Sequence, residues 1–145
     1  MDDVRGIHAL IMDGAGNGLL LPCSLNQVYT RLRNFWVVDT GPNTKVVGCC
    51  ALTISWEKVA EVRSLLVSPD CRRMGIGRMM VDACIQDARD VGVTRVFCLT
   101  YQMEFFADMG FVVVEKDTLP QKIWTDCIDC PKFPNCDEIA MARDV

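Results

Sequence analysis

Apolar residues at Val4, Ile7, Leu10 and Ile11 recur at the spacing of one helical face, and Asp2 and Asp3 just ahead of them are suitable N-caps. The pattern predicts a first helix that Gly14, Gly16 and Gly18 bring to an end. Ser24 with Gln27 three residues on predicts a capping box, opening a second helix that runs to about Asn34. FWVVD (35–39) then reads as a strand and TGPN as a turn. KVVGCCALTISW (45–56) and VAEVRSLLV (59–67) read as two more strands, joined near Glu57 and Lys58 in an antiparallel meander.

The second half changes rhythm. After the strand EVRSLLV comes a loop, SPDCRRMGIG, and then a helix with apolar positions at Met79, Met80, Ala83, Cys84 and Ala88, ended by Gly92. TRVFCLT is another strand, QMEFFADMG a short helix closed by Gly110, and FVVVEK a further strand. Antiparallel strands followed by a strand, helix, strand unit give an α/β (α+β) class. No internal repeat or low-complexity segment is present. The 145 residues suit one domain, 1–145, with a Cys- and Pro-containing strap over 120–145.

Composition narrows the partners. Half the residues are hydrophobic and 23% charged, as in a globular chain, and 15 basic against 19 acidic residues leave a net charge of -4. That balance argues against a nucleic-acid backbone as ligand. The acidic start MDDVRG lacks the basic end of a secretory signal, and no apolar run approaches the roughly 20 residues of a membrane helix. A cytoplasmic location with no membrane partner is the expectation. Among nine cysteines, Cys49, Cys50, Cys84 and Cys98 sit in apolar runs where thiols act as small hydrophobes. His8, the single histidine, reads as structural or surface.

Arg72 to Arg78, RRMGIGR, joins a strand to a helix. Unpaired N–H groups at a helix start favour an anion, glycines at 75 and 77 let those amides approach it, and Arg72, Arg73 and Arg78 add cationic donors. Read alone, the same residues also suit a plain tight turn. No Lys-Ser/Thr follows the glycines as in a P-loop, and the third glycine of a dinucleotide fingerprint is missing, so another phosphate-bearing cofactor is implied.

Arg72-x-x-Gly75-x-Gly77, preceded by SLLVSPDC and followed by an amphipathic helix, resembles the acetyl-CoA signature of the GNAT superfamily of N-acetyltransferases, and FFADMGF resembles that superfamily's short helix and Gly-Phe. The resemblance implies a mixed, mostly antiparallel sheet flanked by helices and splayed between its fourth and fifth strands. It also implies acetyl-CoA as co-substrate: Leu66 and Val67 would offer main-chain contacts to the pantetheine arm, and Arg72, Arg73, Met74, Gly75, Ile76, Gly77 and Arg78 would hold the pyrophosphate. GLLLPCS, RNFWVVD, EVRSLLVSP, LPQKIWTDC and CPKFPNCDEIAM together are similar to the short, kinase-less N-acetylglutamate synthases. Acetyl transfer to the α-amine of L-glutamate, the first step of arginine biosynthesis, is what this implies. Another small amine or a peptide N-terminus, and a non-catalytic acetyl-CoA-binding subunit, are the alternatives.

Such chemistry needs a base, because an α-amine with a pKa of about 8 is largely protonated at neutral pH. Glu61 is the candidate, directly or through water. Strand alternation puts Glu61, Arg63 and Leu65 on one face, so Arg63 could hold a carboxylate; a structural Glu61–Arg63 pair is the bland reading. By analogy the Leu66 amide would face the developing oxyanion. Where many relatives carry a tyrosine in the short helix this chain has Phe106, and Tyr101 is the nearest replacement as proton donor, unless it is a rim tyrosine. Lys122 is the expected second cation for the substrate, or an ordinary exposed lysine. In the resembled family LPCS commonly reads Leu-Pro-Arg-Ser, so Cys23 stands where an arginine would contact substrate. The strand that usually opens such chains is not apparent: either the true start lies upstream, or the sheet lacks its first strand, which would leave an edge for a second copy of the chain to cover.

Cys127, Cys130 and Cys136, spaced C-x2-C-x5-C, offer three thiols where zinc sites want four ligands. No metal is predicted; a knuckle completed by Asp126, Asp129, Asp137 or Cys23 and a Cys127–Cys130 disulfide are weaker alternatives to a strap stiffened by Pro131 and Pro134.

Overall fold

The computed structural model describes residues 1–41, 45–119 and 137–145. The first helix, α1 (Val4–Gly16), buries Val4, Ile7, Leu10 and Ile11, the face that their spacing defines. Ile7 and Ile11 are almost completely buried, and each side chain of this kind contributes about 1.5–3 kcal/mol. α2 (Leu25–Thr30) opens on a complete capping box: the Gln27 N–H donates to Ser24 Oγ at 3.1 Å and the Ser24 N–H donates to Gln27 Oε1 at 2.8 Å. The helix is shorter than the expected run to about Asn34, and a 3-10 turn over Leu32–Asn34 completes the segment.

The strands are β1 (Phe35–Asp39), β2 (Val46–Trp56), β3 (Val59–Val67), β4 (Arg95–Thr100), β5 (Val112–Val113) and β6 (Ile139–Asp144), in the sheet order β1-β2-β3-β4-β6-β5. β1 and β2 are antiparallel, with Phe35 opposite Ala51 and Trp36 opposite Cys50. β3 and β4 are parallel, Val59 to Glu61 standing against Arg95 to Phe97. Two further α-helices lie among the described residues, the long α3 (Ile76–Asp90) and the short α4 (Met103–Asp108). No helix among the described residues is long and apolar enough to cross a membrane.

Two sequence expectations change here. FVVVEK contributes only the two residues of β5. Residues 139–144, read as the end of a strap, are β6, a strand that pairs with β4 on one side and β5 on the other. Its residues IAMARD have little strand propensity, and its identity comes from the partners that flank it.

The chain divides into two units, Met1–Leu52 with Val62–Gln86, and Thr53–Glu61 with Asp87–Val145. The first is built on Val4, Ile7, Leu10, Ile11, Val28, Val46, Cys49 and Leu66, with Leu20, Cys23 and Phe35 against them. Close approach within it requires glycine: a Cβ at Gly6 would stand 2.7 Å from Val46 Cγ2. In the second unit Phe97, Leu119, Ala140 and Ala142 form the core, with Val59, Leu99 and Val114 around them.

Candidate active site

In the first unit β3 leads into the loop that the sequence marks as an anion cradle. The Ser68 N–H donates to the Val47 carbonyl at 2.7 Å, and a 3-10 turn over Pro69–Cys71 follows. Arg73 and Gly75 both adopt left-handed backbone, φ 65° and 77°. Gly75 accepts the first bond of the next helix, its carbonyl 3.0 Å from the Met79 N–H. The amides of Ile76, Gly77 and Arg78 are therefore first-turn donors without intrahelical partners, at the positive end of the 15-residue α3. Nothing lies within 4 Å of where a Gly75 Cβ would be. An exposed, glycine-opened loop with Arg72, Arg73 and Arg78 on its surface and a helix start at its end is chemically suited to an anion. Arg72 also donates through Nε to the Val67 carbonyl at 3.3 Å, which ties the loop to the end of β3.

Upstream, Ser64 has φ 54°, unusual for a residue with a Cβ. Its carbonyl accepts from the buried Cys49 thiol at 3.4 Å. Leu66 packs in the cluster that contains Cys49, and Cys23, whose surroundings include Arg63, packs against that same cluster. Along β3 the buried positions are Ala60, Val62 and Leu66, while Glu61, Arg63 and Leu65 are all half-buried.

Cys23 is half-buried. Burial raises its thiol above the ordinary value, while the Arg31 and Arg63 guanidiniums act in the opposite sense. Arg31, at the C-cap of α2, had no sequence signal: nothing local shows that a residue eight positions on returns to the LPCS loop. The Cys49 thiol is pushed up to about 12, first by burial and then by Cys23.

The second unit holds the other candidates. Glu61 lies half-buried on β3 opposite Phe97. Next along β4, the buried Cys98 thiol is raised by burial, then by Glu61 and by Glu138. Tyr101, just past the end of β4, donates from its hydroxyl to Asp137 Oδ1 at 2.6 Å. Asp137 entered the sequence reading only as a metal candidate, and Glu138 not at all, because both come close to β4 through the pairing of β6. Phe106 is a core residue, 3% exposed, with edge-to-face contacts to Phe105 and Phe111 at ring separations of 5.0 and 5.2 Å.

Arg63 and Cys23 are thus brought together in one unit, and Glu61 with Tyr101 belong to the other. Lys122, Cys127, Cys130 and Cys136 lie outside the described residues. Among the described residues no group of three or more His, Cys, Asp or Glu side chains is placed to hold a metal ion, and Cys23, Cys49, Cys50, Cys71, Cys84 and Cys98 form no disulfide.

A mixed sheet whose parallel strand runs through an arginine- and glycine-lined loop into a helix start is the frame of an enzyme that moves acetyl groups from acetyl-CoA to amines. Residues 20–111 match the Acetyltransferase (GNAT) family, and the chain belongs to it. It is 40% identical over 141 residues to an uncharacterized N-acetyltransferase of Chlorobaculum tepidum, a match covering 97% of this chain and 90% of that one. It is 37% identical over 126 residues to an amino-acid acetyltransferase of Mycobacterium tuberculosis, covering 86% and 71% of the two chains. Among solved structures, N-acetylglutamate synthase from Neisseria gonorrhoeae, crystallised with coenzyme A and N-acetyl-glutamate, superposes with a TM-score of 0.87 at 27% identity. That match covers 99% of this chain and 33% of the synthase.

Proposed function

We propose that this chain acetylates the α-amine of an amino acid, L-glutamate first among the acceptors, and so serves the opening step of arginine biosynthesis in the cytoplasm. The observation that carries the amino-acid reading is the field around Cys23. Two guanidiniums, Arg31 and Arg63, act on the one thiol that occupies the position of the resembled family's arginine. A carboxylate-bearing acceptor therefore keeps cationic partners there although the side chain at 23 is neutral. The relatives named as amino-acid acetyltransferases support the same reading.

In this proposal Arg72, Arg73, Arg78 and the α3 amides hold the pyrophosphate, and Leu66 and Val67 border the pantetheine arm with main-chain groups. Glu61 takes the first proton from the acceptor's ammonium, directly or through water, and exposes the lone pair that attacks the thioester. The leaving thiolate, with a reference pKa of about 8.5, departs without a dedicated acid. Arg63 and Lys122 hold carboxylates.

A specific observation favours a second acceptor class. Cys23 donates weakly to the Ser24 carbonyl at 3.7 Å and offers no bidentate contact, so an amino acid with one carboxylate would lose less than glutamate does. A panel of L-glutamate, L-glutamine, other amino acids, polyamines and peptide N-termini, read by thiol release, tests both. Glutamate turned over fastest supports the leading reading; turnover confined to polyamines or peptides refutes it. Within the panel, Glu61→Gln should lower kcat by on the order of 10²-fold or more while acetyl-CoA still binds, and an unchanged rate removes Glu61 as the base.

A further inference from the structure

The Tyr101 hydroxyl and Asp137 Oδ1 are 2.6 Å apart. An ionised carboxylate only accepts hydrogen bonds, so the phenol is the donor, and a phenol has one proton to donate. While this bond stands, Tyr101 meets a third group with its oxygen lone pairs. It suits an N–H donor better than a thiolate that needs a proton.

The proton count of amine acetylation calls for a group of this kind. An ammonium nitrogen starts with three protons and the amide product keeps one, so two must leave. Glu61, on the reading above, accounts for the first. The second leaves as the new C–N bond forms and the C–S bond breaks, with the electron pair of that bond going to sulfur, which takes its own proton from water. One proton is released overall.

We propose that Tyr101 and Asp137 form a relay for this second proton: as the nitrogen's N–H proton passes to Tyr101 Oη, the phenolic proton passes to the Asp137 carboxylate, which releases it to solvent. The inference rests on the acetyltransfer reading. Its setting is one unit of the fold. β6 starts at Ile139 opposite Thr100, so Asp137 and Glu138 arrive at the end of β4 where Tyr101 stands. Glu61 flanks the same strand at Phe97, and its charge and that of Glu138 both bear on Cys98 between them. Phe97 and Tyr101 are four residues apart, about 13 Å in extended chain, so at least one of the two acceptors reaches the nitrogen through water. Asp137 is exposed, which lets a proton on it exchange with bulk water. Here Tyr101 is the catalytic residue and Asp137 its positioning and accepting partner.

The test compares Tyr101→Phe, Asp137→Asn and the double variant of the full chain, using the best acceptor from the amine panel and two donors, acetyl-CoA and the acetyl thioester of a more acidic aryl thiol. Each single variant should lower kcat on the order of 10²-fold with KM for acetyl-CoA unchanged. The double variant should be no slower than the slower single, and the variant-to-wild-type ratio should be the same for both donors. Asp137→Glu, which keeps a carboxylate, should recover part of the rate. A Tyr101→Phe enzyme with wild-type kcat overturns the relay. So does a defect that shrinks with the aryl thioester, which would put the Tyr101 proton on sulfur, and so does full activity of Asp137→Asn beside a slow Tyr101→Phe. Thermal melts matching the wild type separate lost chemistry from lost fold. An unaffected Glu61→Gln enzyme is a distinct result: it removes the first base and leaves the two-variant comparison to stand or fall by itself.

Discussion

Gly75 allows the backbone and the electrostatics of the cofactor loop to be separated. Its φ of 77° is open to any residue only at a cost, while the space beyond its Cβ position is empty. Gly75→Ala therefore meets no clash and carries only the left-handed penalty, about 1–2 kcal/mol. For a chain of 145 residues this is a fall in Tm of roughly 2–8 °C. Gly75→Asp carries a similar or smaller backbone penalty, since aspartate tolerates this region better. It also places a carboxylate beside the α3 amides. At about 6 Å from a bound phosphate charge and an effective dielectric constant of about 20, the repulsion is about 3 kcal/mol, less some screening at an exposed site. Calorimetric titration with CoA should show the alanine variant within a few-fold of wild type and the aspartate variant weakened on the order of 10²-fold. The two variants should melt within a few degrees of each other. Equal weakening by both would mean that loop conformation, and not charge, governs affinity. Wild-type affinity in the aspartate variant would mean that the loop is a turn and nothing more.

Gly6→Ala gains about 0.5–1 kcal/mol of helix propensity but drives a methyl to 2.7 Å from Val46 Cγ2, a stiff β-branched neighbour, so a net loss of about 0.5–2 kcal/mol is expected in urea unfolding; a gain in stability would show that α1 shifts without cost. Cys49 has a folded-state pKa of about 12 against 9 unfolded, so the unfolded thiol ionises first, and stability present below about pH 9 is lost as pH rises toward 12. Urea midpoints measured from pH 8 to 11 should fall less steeply for Cys49→Ala than for wild type, and parallel curves would refute the assignment.

What could be read from the sequence was local. Ser24 and Gln27 are three residues apart, and both bonds of their box are present. Arg72 to Gly75 lie between a strand and a helix as their residue types require, although α3 starts at Ile76, three residues before its apolar pattern begins at Met79. What escaped depends on distant partners. Ile139–Asp144 reads as the end of a strap until β4 and β5 flank it. Ser64 is no residue to suggest left-handed backbone, yet its φ is 54°. Arg31 comes near Cys23 through the fold of one short helix, and Tyr101 meets Asp137 across 36 positions of chain. Family resemblance supplied the cofactor, and it could not supply these contacts.

The order in which β4 finds its neighbours sets a kinetic expectation. Val38 pairs with Gly48 across 10 positions, whereas Val59 pairs with Arg95 across 36 and Arg95 with Asp144 across 49. Loop closure costs grow with such separations, and high contact order slows folding. The β1–β2 pair of the first unit has a local route to its structure, while β4 must await a strand that is made last among those described. The half of the fold that carries Glu61, Tyr101 and Asp137 is then the later to form, and the longer exposed to misassembly.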